Sequence, residues 1–179
     1  GGSVWTEIVG DQSGSYLGLE YTHTVGVVAS ETYKFRTRAQ NKWGWGPYTS
    51  TPAEILAASI PYRVDIAVTT IDPITGGVKI DWTAPYYNGA EITSYTIEIQ
   101  DSNSLWQSDA QCDGSDSAIV ASMNCVVSMD TISTTFGYAF DSIVYVRISA
   151  TNQMGTGAWS MANSDGALVR SKPGKMLGV

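Results

Sequence analysis

The sequence predicts an all-β protein built from a repeated β-sandwich unit of about 112 residues. Residues 33–50 align without a gap to residues 144–161, and the two stretches share an Arg, an Ala, an Asn and two Gly at an offset of 111 residues. Each stretch opens with alternating apolar and polar residues, which is typical of a half-buried strand. Each then enters Asn-x-x-Gly-x-Gly, where glycine permits positive φ in a tight turn. Self-similarity at a fixed period indicates a repeat array.

Residues 61–172 contain a full series of short strand patterns. Alternating apolar side chains mark most of them, and a turn from Pro85 to Gly89 separates the second strand from the third. The predicted strands lie, in chain order, at Val64–Val68, Val78–Trp82, Tyr95–Ile99, Trp106, Cys125–Met129, Val144–Ala150 and Gly166–Val169.

The phrase Ala-x-Asn-x-x-Gly-x-Gly, the tryptophan Trp82 and the Asn88-Gly89 turn occur in the order seen in fibronectin type III domains, and essentially the whole chain resembles that family. The resemblance implies an immunoglobulin-like β-sandwich, in which the seven segments are strands A, B, C, C′, E, F and G. One departure concerns the tyrosine corner at the start of strand F, because Tyr33 is present in the first copy but Val144 occupies the aligned position. The core residues we predict are Val78, Ile80, Trp82, Tyr95, Ile97, Val144, Val146 and Ile148.

The repeat divides the chain into three parts. Residues 1–60 match only the later strands C′, E, F and G, with Trp5 corresponding roughly to Trp106; residues 61–172 form a complete repeat; residues 173–179 begin the next strand A. Half a sandwich leaves an open core and an unpaired edge. We expect it to be completed either by sequence outside this chain or by strands of a neighbouring copy, and non-closing head-to-tail contacts give filaments. The predicted linkers, 59–62 and 171–174, are short and imply a stiff array.

Composition excludes several classes of partner. The net charge of −7 argues against nucleic-acid binding and against adsorption to anionic lipid. No apolar run approaches the ~20 residues of a membrane span. Asn-x-Ser/Thr sequons are absent, so N-linked glycans are not predicted. Ser and Thr are plentiful, and two interpretations of them stay open: sites of hydroxyl-linked glycans, or ordinary strand and turn residues.

The sequence offers no catalytic, cofactor or metal site. His23 is the single histidine, and we expect it to be an exposed strand or loop residue. Motifs for nucleophilic catalysis and phosphate binding are absent. Asp101, Asp109, Asp113 and Asp116 surround one loop, but their spacing does not match an EF-hand, so a solvated acidic loop is favoured over calcium at a repeat junction.

Cys112 and Cys125 predict a disulfide, with two free buried thiols as the alternative. The pair occurs together in the complete repeat, and the first repeat has neither cysteine. Closing this loop contributes about 3 kcal/mol in the chain-entropy model. A disulfide would place the protein in an oxidising compartment, most simply outside the cell or at its surface.

Trp43 and Trp45 flank Gly44 in the first F–G loop and are candidates for partner binding or for stacking on sugar. Packing against the adjacent repeat is the alternative. The chain looks like the long repeat-bearing surface proteins of single-celled eukaryotes. We therefore expect a non-enzymatic, structural repeat unit of an extracellular or cell-surface protein that forms a stiff fibre with copies of itself or adjacent repeats. The alternative is an adhesion or recognition ectodomain that uses the loop aromatics, and a third class is an accessory domain of an enzyme.

Overall fold

A computed structural model describes residues 4–10 and 16–170 and divides the chain into two compact units, residues 1–57 and 58–179. The predicted second linker and the start of a third repeat, residues 173–179, lie outside the described residues. The strands of the first unit are β1 (Thr32–Phe35), β2 (Gln40–Asn41), β3 (Gly44–Trp45) and β4 (Ala53–Leu56). Strand β1 pairs with β4, and β2 pairs with β3, both antiparallel.

The second unit is a sandwich of two antiparallel sheets with two short helices. Its elements are β5 (Val68–Ile71), β6 (Val78–Asp81), β7 (Ile92–Gln100), β8 (Trp106–Gln107), a 3-10 turn (Ala110–Cys112), α1 (Ser117–Ser122), β9 (Asn124–Val127), α2 (Met129–Thr134), β10 (Val146–Asn152) and β11 (Gly155–Thr156). One sheet has the order β5-β6-β9 and the other β11-β10-β7-β8. This architecture confirms the predicted all-β class and the immunoglobulin-like sandwich.

The core lies between these two sheets. All eight predicted core residues are buried, because period-2 alternation sends every second side chain of a strand inward. The indole of Trp82 meets the ring of Tyr95 edge-on at 5.2 Å, an arrangement that aromatic pairs favour. Ile132 and Phe136, on and just after α2, complete the core and were not predicted.

Strand A differs from the prediction in its first residue and in which of its side chains face the core. The strand begins at Val68, and the buried residues of this stretch are Val64, Ala67 and Thr69, while Ile66 and Val68 are exposed. The three-residue step from Val64 to Ala67 breaks the two-residue period. The inward-facing set is therefore the opposite one from that point onward.

Strands E and G also end differently from the prediction. Strand E stops at Val127 because Ser128 caps α2, with its Oγ accepting a hydrogen bond from Thr131 N at 3.1 Å. Met129 is therefore helical. In place of a regular strand G, Leu168 forms an isolated antiparallel bridge with Ile143.

Strand F is a regular strand from Val146, two residues later than predicted. Before it, the hydroxyl of Tyr138 accepts a hydrogen bond from Tyr145 N at 3.0 Å. In the first unit the hydroxyl of Tyr33 accepts from Val28 N at 2.8 Å, which is the bond expected of a tyrosine corner. The second unit, with Val144 at that place, thus supplies a hydroxyl from another tyrosine.

The predicted strands C′ and E of the first unit are not formed in residues 4–10 and 16–31. In the second unit these strands pair with β7 and β6. The first unit offers no counterpart of β6 or β7 among its described residues, so strands C′ and E have no sheet to join.

Candidate functional site

The F–G turn of the second unit is closed by one buried side chain, Asn152, which is 3% exposed. Its Oδ1 accepts a hydrogen bond from Met154 N at 2.8 Å. Its Nδ2 donates to the carbonyl oxygens of Ser59 at 2.8 Å, Tyr87 at 3.0 Å and Ala90 at 3.2 Å. Asn152 therefore ties the F–G turn to both the linker and the loop between β6 and β7.

Two glycines let the linker pass close to this turn. A Cβ at Gly157 would lie 2.5 Å from the carbonyl oxygen of Pro61, and one at Gly155 would lie 3.2 Å from Ile60 Cγ2. Pro61 is buried, and Asn88 Nδ2 donates to Ile60 O at 3.2 Å. The linker is thus fixed to the end of the second sandwich, and we call Asn152, Gly155 and Gly157 its linker site.

The first unit repeats the turn geometry at the aligned residues. Asn41 Oδ1 accepts a hydrogen bond from Trp43 N at 2.8 Å, and Gly44 has φ of 128° against 131° at Gly155. Two flanking backbone hydrogen bonds also recur, all at 2.8 Å. In the first unit Gly46 N donates to Ala39 O and Thr49 N donates to Thr37 O; the aligned bonds of the second unit run from Gly157 N to Ala150 O and from Ser160 N to Ile148 O.

Each unit also stacks an arginine between two aromatic rings, on β10 in the second unit and directly after β1 in the first. In the second unit Arg147 Cζ lies 4.6 Å from the ring centre of Trp106 and 4.4 Å from that of Trp159. The aligned contacts of the first unit are Arg36 Cζ to Trp5 at 4.2 Å and to Tyr48 at 4.0 Å. Such cation–π contacts stabilise by about 0.5–2 kcal/mol, depending on desolvation.

Of the predicted partner-binding pair, Trp43 and Trp45, only Trp45 contacts an arginine of this kind. Arg38 Cζ lies 4.4 Å from the ring centre of Trp45 and 4.6 Å from that of Tyr48, so Trp45 extends the first unit's stack. Trp43 is 83% exposed, with Lys42 Nζ 4.6 Å from its ring centre. The two indoles therefore have different environments.

The outer edge of β10 is satisfied by side chains in place of strand G. Asn163 Oδ1 accepts from Val146 N at 2.7 Å, and Ser160 Oγ accepts from Ile148 N at 2.9 Å. These bonds remove two exposed edge donors that could pair with another chain. Sequence reasoning missed both residues, because they precede the predicted strand G and no local pattern identifies the backbone groups they bind.

Cys112 and Cys125 form a disulfide, and both residues are buried. It links the 3-10 turn to β9 and holds residues 108–114 along the part of the β7 edge that β8 leaves unpaired. There Ser108 Oγ donates to Ile97 O at 3.0 Å, and Gly114 O accepts from Tyr95 N at 2.9 Å. The segment therefore takes the place of an edge strand.

The four aspartates considered for calcium each cap their own turn. Asp109 and Asp116 accept from the N–H two residues on, ahead of the 3-10 turn and α1, and Asp113 does the same with Ser115. Asp101 accepts from Asn103 N at 2.8 Å and Leu105 N at 2.9 Å. In residues 4–10 and 16–170 no group of three or more His, Cys, Asp or Glu side chains could hold a metal ion. His23, expected to be exposed, is partly buried and stacks on Tyr21 at 6.3 Å.

We expect the stability of the second unit to fall in acid through Asp101. The N–H of Leu105, with further bonds from Asn103 and Gln107, holds the pKa of this carboxyl below its usual 3.8. A lowered folded-state pKa stabilises above the unfolded value, and that stabilisation is lost as pH falls through the folded value. Urea midpoints measured from pH 6 to pH 2 should therefore decline below about pH 4. Asp101→Asn should flatten part of this decline, and an unchanged curve would contradict the assignment.

We expect Arg147→Lys to lower the free energy of unfolding by about 1–2 kcal/mol, because Lys lacks the planar fork that stacks and pairs here. The Arg147 Nε and Nη2 atoms lie 2.7 Å and 2.5 Å from Glu98 Oε2, with both side chains mostly buried. The matched control is Arg170→Lys, where the pair with Asp141 is exposed and contributes less than about 1 kcal/mol. Equal effects in urea unfolding would contradict a structural role for the stack.

No protein-family model matches the chain. It is 30% identical over 146 residues to fibronectin type-III domain-containing protein 3a of Gallus gallus, which covers 81% of this chain and 11% of that protein. It is 32% identical over 84 residues to the Homo sapiens protein 3A, covering 46% of this chain and 7% of that protein. The chain therefore spans about a tenth of the length of the curated relatives it matches.

Among solved structures, a crystal structure of titin domains has a TM-score of 0.51 at 17% identity and covers 82% of this chain and 44% of that chain. At this identity the likeness shows the fold alone. Together with the two-sheet architecture and the named relatives, it supports a fibronectin type III-like domain in this chain. None of the helices in the described ranges is long and apolar enough to cross a membrane.

Proposed function

We propose that this chain is a stretch of a tandem fibronectin type III-like array with a structural role in an extracellular or cell-surface protein. The carrying observation is the recurrence of one contact set in both units: the Asn-capped turn and the arginine stacked between two aromatic rings. Two stretches of one chain that build the same turn and the same stack are best explained as copies of one repeat. The resemblance to repeat-bearing surface proteins of single-celled eukaryotes extends the same proposal.

In this proposal the repeats stack head to tail into a stiff fibre. The linker is held at two carbonyls, those of Ser59 and Ile60, and is buried at Pro61, which in this proposal restricts bending in a way that a flexible linker would not. The stability of such an array is the sum of each core and its nearest-neighbour interfaces. The disulfide is consistent with assembly in an oxidising compartment.

Electron micrographs of the native material, taken with and without reducing agent, test this proposal. We expect continuous fibres whose axial repeat equals one or two domain lengths and which persist after reduction, since the disulfide lies within one unit. Isolated short rods in both conditions would contradict the fibre.

Trp43 supports a second candidate function, recognition of a carbohydrate or protein partner. An indole that is 83% exposed at a turn tip is available for stacking on a ligand. The test compares Trp43→Ala with Trp45→Ala on an oligosaccharide array. Loss of a bound glycan in the first variant, with unchanged melting, supports recognition. Equal loss in both variants would point to the Arg38 stack and not to a ligand contact.

A further inference from the structure

The linker site of the second unit is filled, whereas none of the described residues occupies the aligned turn of the first unit. Asn152 is buried and donates to three carbonyls. Asn41 is exposed, and its Nδ2 makes no hydrogen bond with any described residue, although Oδ1 makes the same bond within the turn. The first unit thus presents an amide donor oriented by its own turn and open to an incoming acceptor.

The glycines at this turn show the same contrast. Gly157 has the Pro61 carbonyl oxygen 2.5 Å from where its Cβ would stand. A Cβ at Gly46 would meet only the Ala39 carbonyl oxygen, at 3.4 Å, and one at Gly44 would meet nothing within 4 Å. In the described part of the chain, therefore, no close neighbour makes use of the space above Gly46. A passing backbone, as at Pro61, would use it.

The adjoining strand face is open in the same way. In the second unit the inward residues of strand F, Val144, Val146, Ile148 and Ala150, are all fully buried. At the aligned positions Tyr33 and Phe35 are only partly buried, and Thr37 and Ala39 are exposed. One occupant, an extended linker followed by apolar strands and a turn loop, would cover both the Asn41 turn and this face.

We propose that Asn41, Gly44 and Gly46 form a docking site for a segment with the chemistry of residues 58–101. Such a segment places the counterpart of the Pro61 backbone over Gly46 and brings the counterparts of the Ser59, Tyr87 and Ala90 carbonyls to the Asn41 amide. Its strands then cover Tyr33 and Phe35. The assignment rests on the tandem-repeat role proposed above and names the partner that the first unit requires.

The test uses the full 179-residue chain as receptor and residues 58–101, carried on a soluble fusion partner, as probe in a surface-binding assay. We expect saturable binding. Asn41→Ala removes the amide donor from carbonyls that become buried on docking, so affinity should fall about tenfold or more. Gly46→Val fills the space for the passing backbone and should have a comparable effect.

Trp43→Ala is the matched control, because it changes the same turn without touching the amide or the glycine space. Its affinity should equal that of the unchanged chain. All three positions are exposed, so the melting of the second unit should be the same in every variant. Absence of saturable binding, or binding that both Asn41→Ala and Gly46→Val leave unchanged, would overturn the assignment.

A measurement of self-association tests the other candidate occupant of this site, an intact second copy of the chain. Dimers of the chain alone that depend on Asn41, with no binding of the probe, would overturn the assignment in favour of an intact second copy. Fibres in native material without probe binding would leave the structural role standing and reject only this docking site. Probe binding without fibres would support the docking site and reject the structural role as a fibre.

Discussion

Asn152→Ala is expected to lower the free energy of unfolding of the second unit by roughly 4 kcal/mol. The change leaves the carbonyls of Ser59, Tyr87 and Ala90 and the N–H of Met154 without their partner. Each buried polar group that loses its partner costs about 1–3 kcal/mol, less where water can enter. The loss should be measured by urea unfolding followed through tryptophan fluorescence.

Asn41→Ala is the matched control for this change, because it alters the aligned residue of the first unit, which is exposed and whose side chain, among the described residues, bonds only within its own turn. Its effect on the unfolding of the second unit should stay within about 0.5 kcal/mol. A loss below about 1 kcal/mol for Asn152→Ala would show that the linker site does not hold the second unit together.

Gly114→Ala is expected to destabilise the second unit by about 3 kcal/mol or more, or to prevent its folding. A Cβ on Gly114 would overlap the carbonyl oxygen of Tyr95 and lie 2.7 Å from Ile97 Cδ1. The obstacle is the backbone of β7, which cannot rotate away. The segment would have to withdraw from the edge of β7 and give up the bond from Tyr95 N to Gly114 O.

Gly76→Ala separates this overlap from the general cost of replacing glycine. Gly76 has φ of 74° and nothing within 4 Å of the Cβ position, so only the left-handed backbone strain, about 1–2 kcal/mol, should appear. Chemical denaturation of both variants gives the comparison. Equal losses would contradict close packing of the segment against β7.

Much of the sandwich could be predicted because its signals are local. Alternation along β6, β7 and β10 identifies the inward residues directly, and the Asn88-Gly89 turn has the two positive φ angles that such a pair favours, 55° and 90°. The sequence match of Trp5 with Trp106 is only rough, but the two rings have equivalent contacts, because Trp5 stacks on Arg36 and Trp106 stacks on the aligned Arg147.

The features that sequence reasoning missed depend on distant partners or on a small shift of phase. Strand A was misassigned because one three-residue step before Ala67 reverses its facing, and local apolar content does not show such a step. Ser128 begins a helix where the apolar pattern of Cys125–Met129 continues, so the cap outweighs the strand pattern.

The role of Asn152 was missed for a related reason. The motif indicates a tight turn, and the turn is present, but the acceptors of its amide lie 62 to 93 residues away in sequence. No local pattern identifies such acceptors. The same holds for Ser160 and Asn163, whose side chains replace a backbone ladder.

The central claim is that the first unit is the later part of its own sandwich, of the same kind as the sandwich that the second unit forms. Amide hydrogen exchange on a chain with an extra copy of residues 58–101 fused N-terminal to Gly1 tests it most directly. We predict that the amides of residues 33–39 become protected to the level of residues 144–150, and that a second unfolding transition appears in calorimetry. Unchanged exchange at residues 33–39, with a single transition, would contradict the claim.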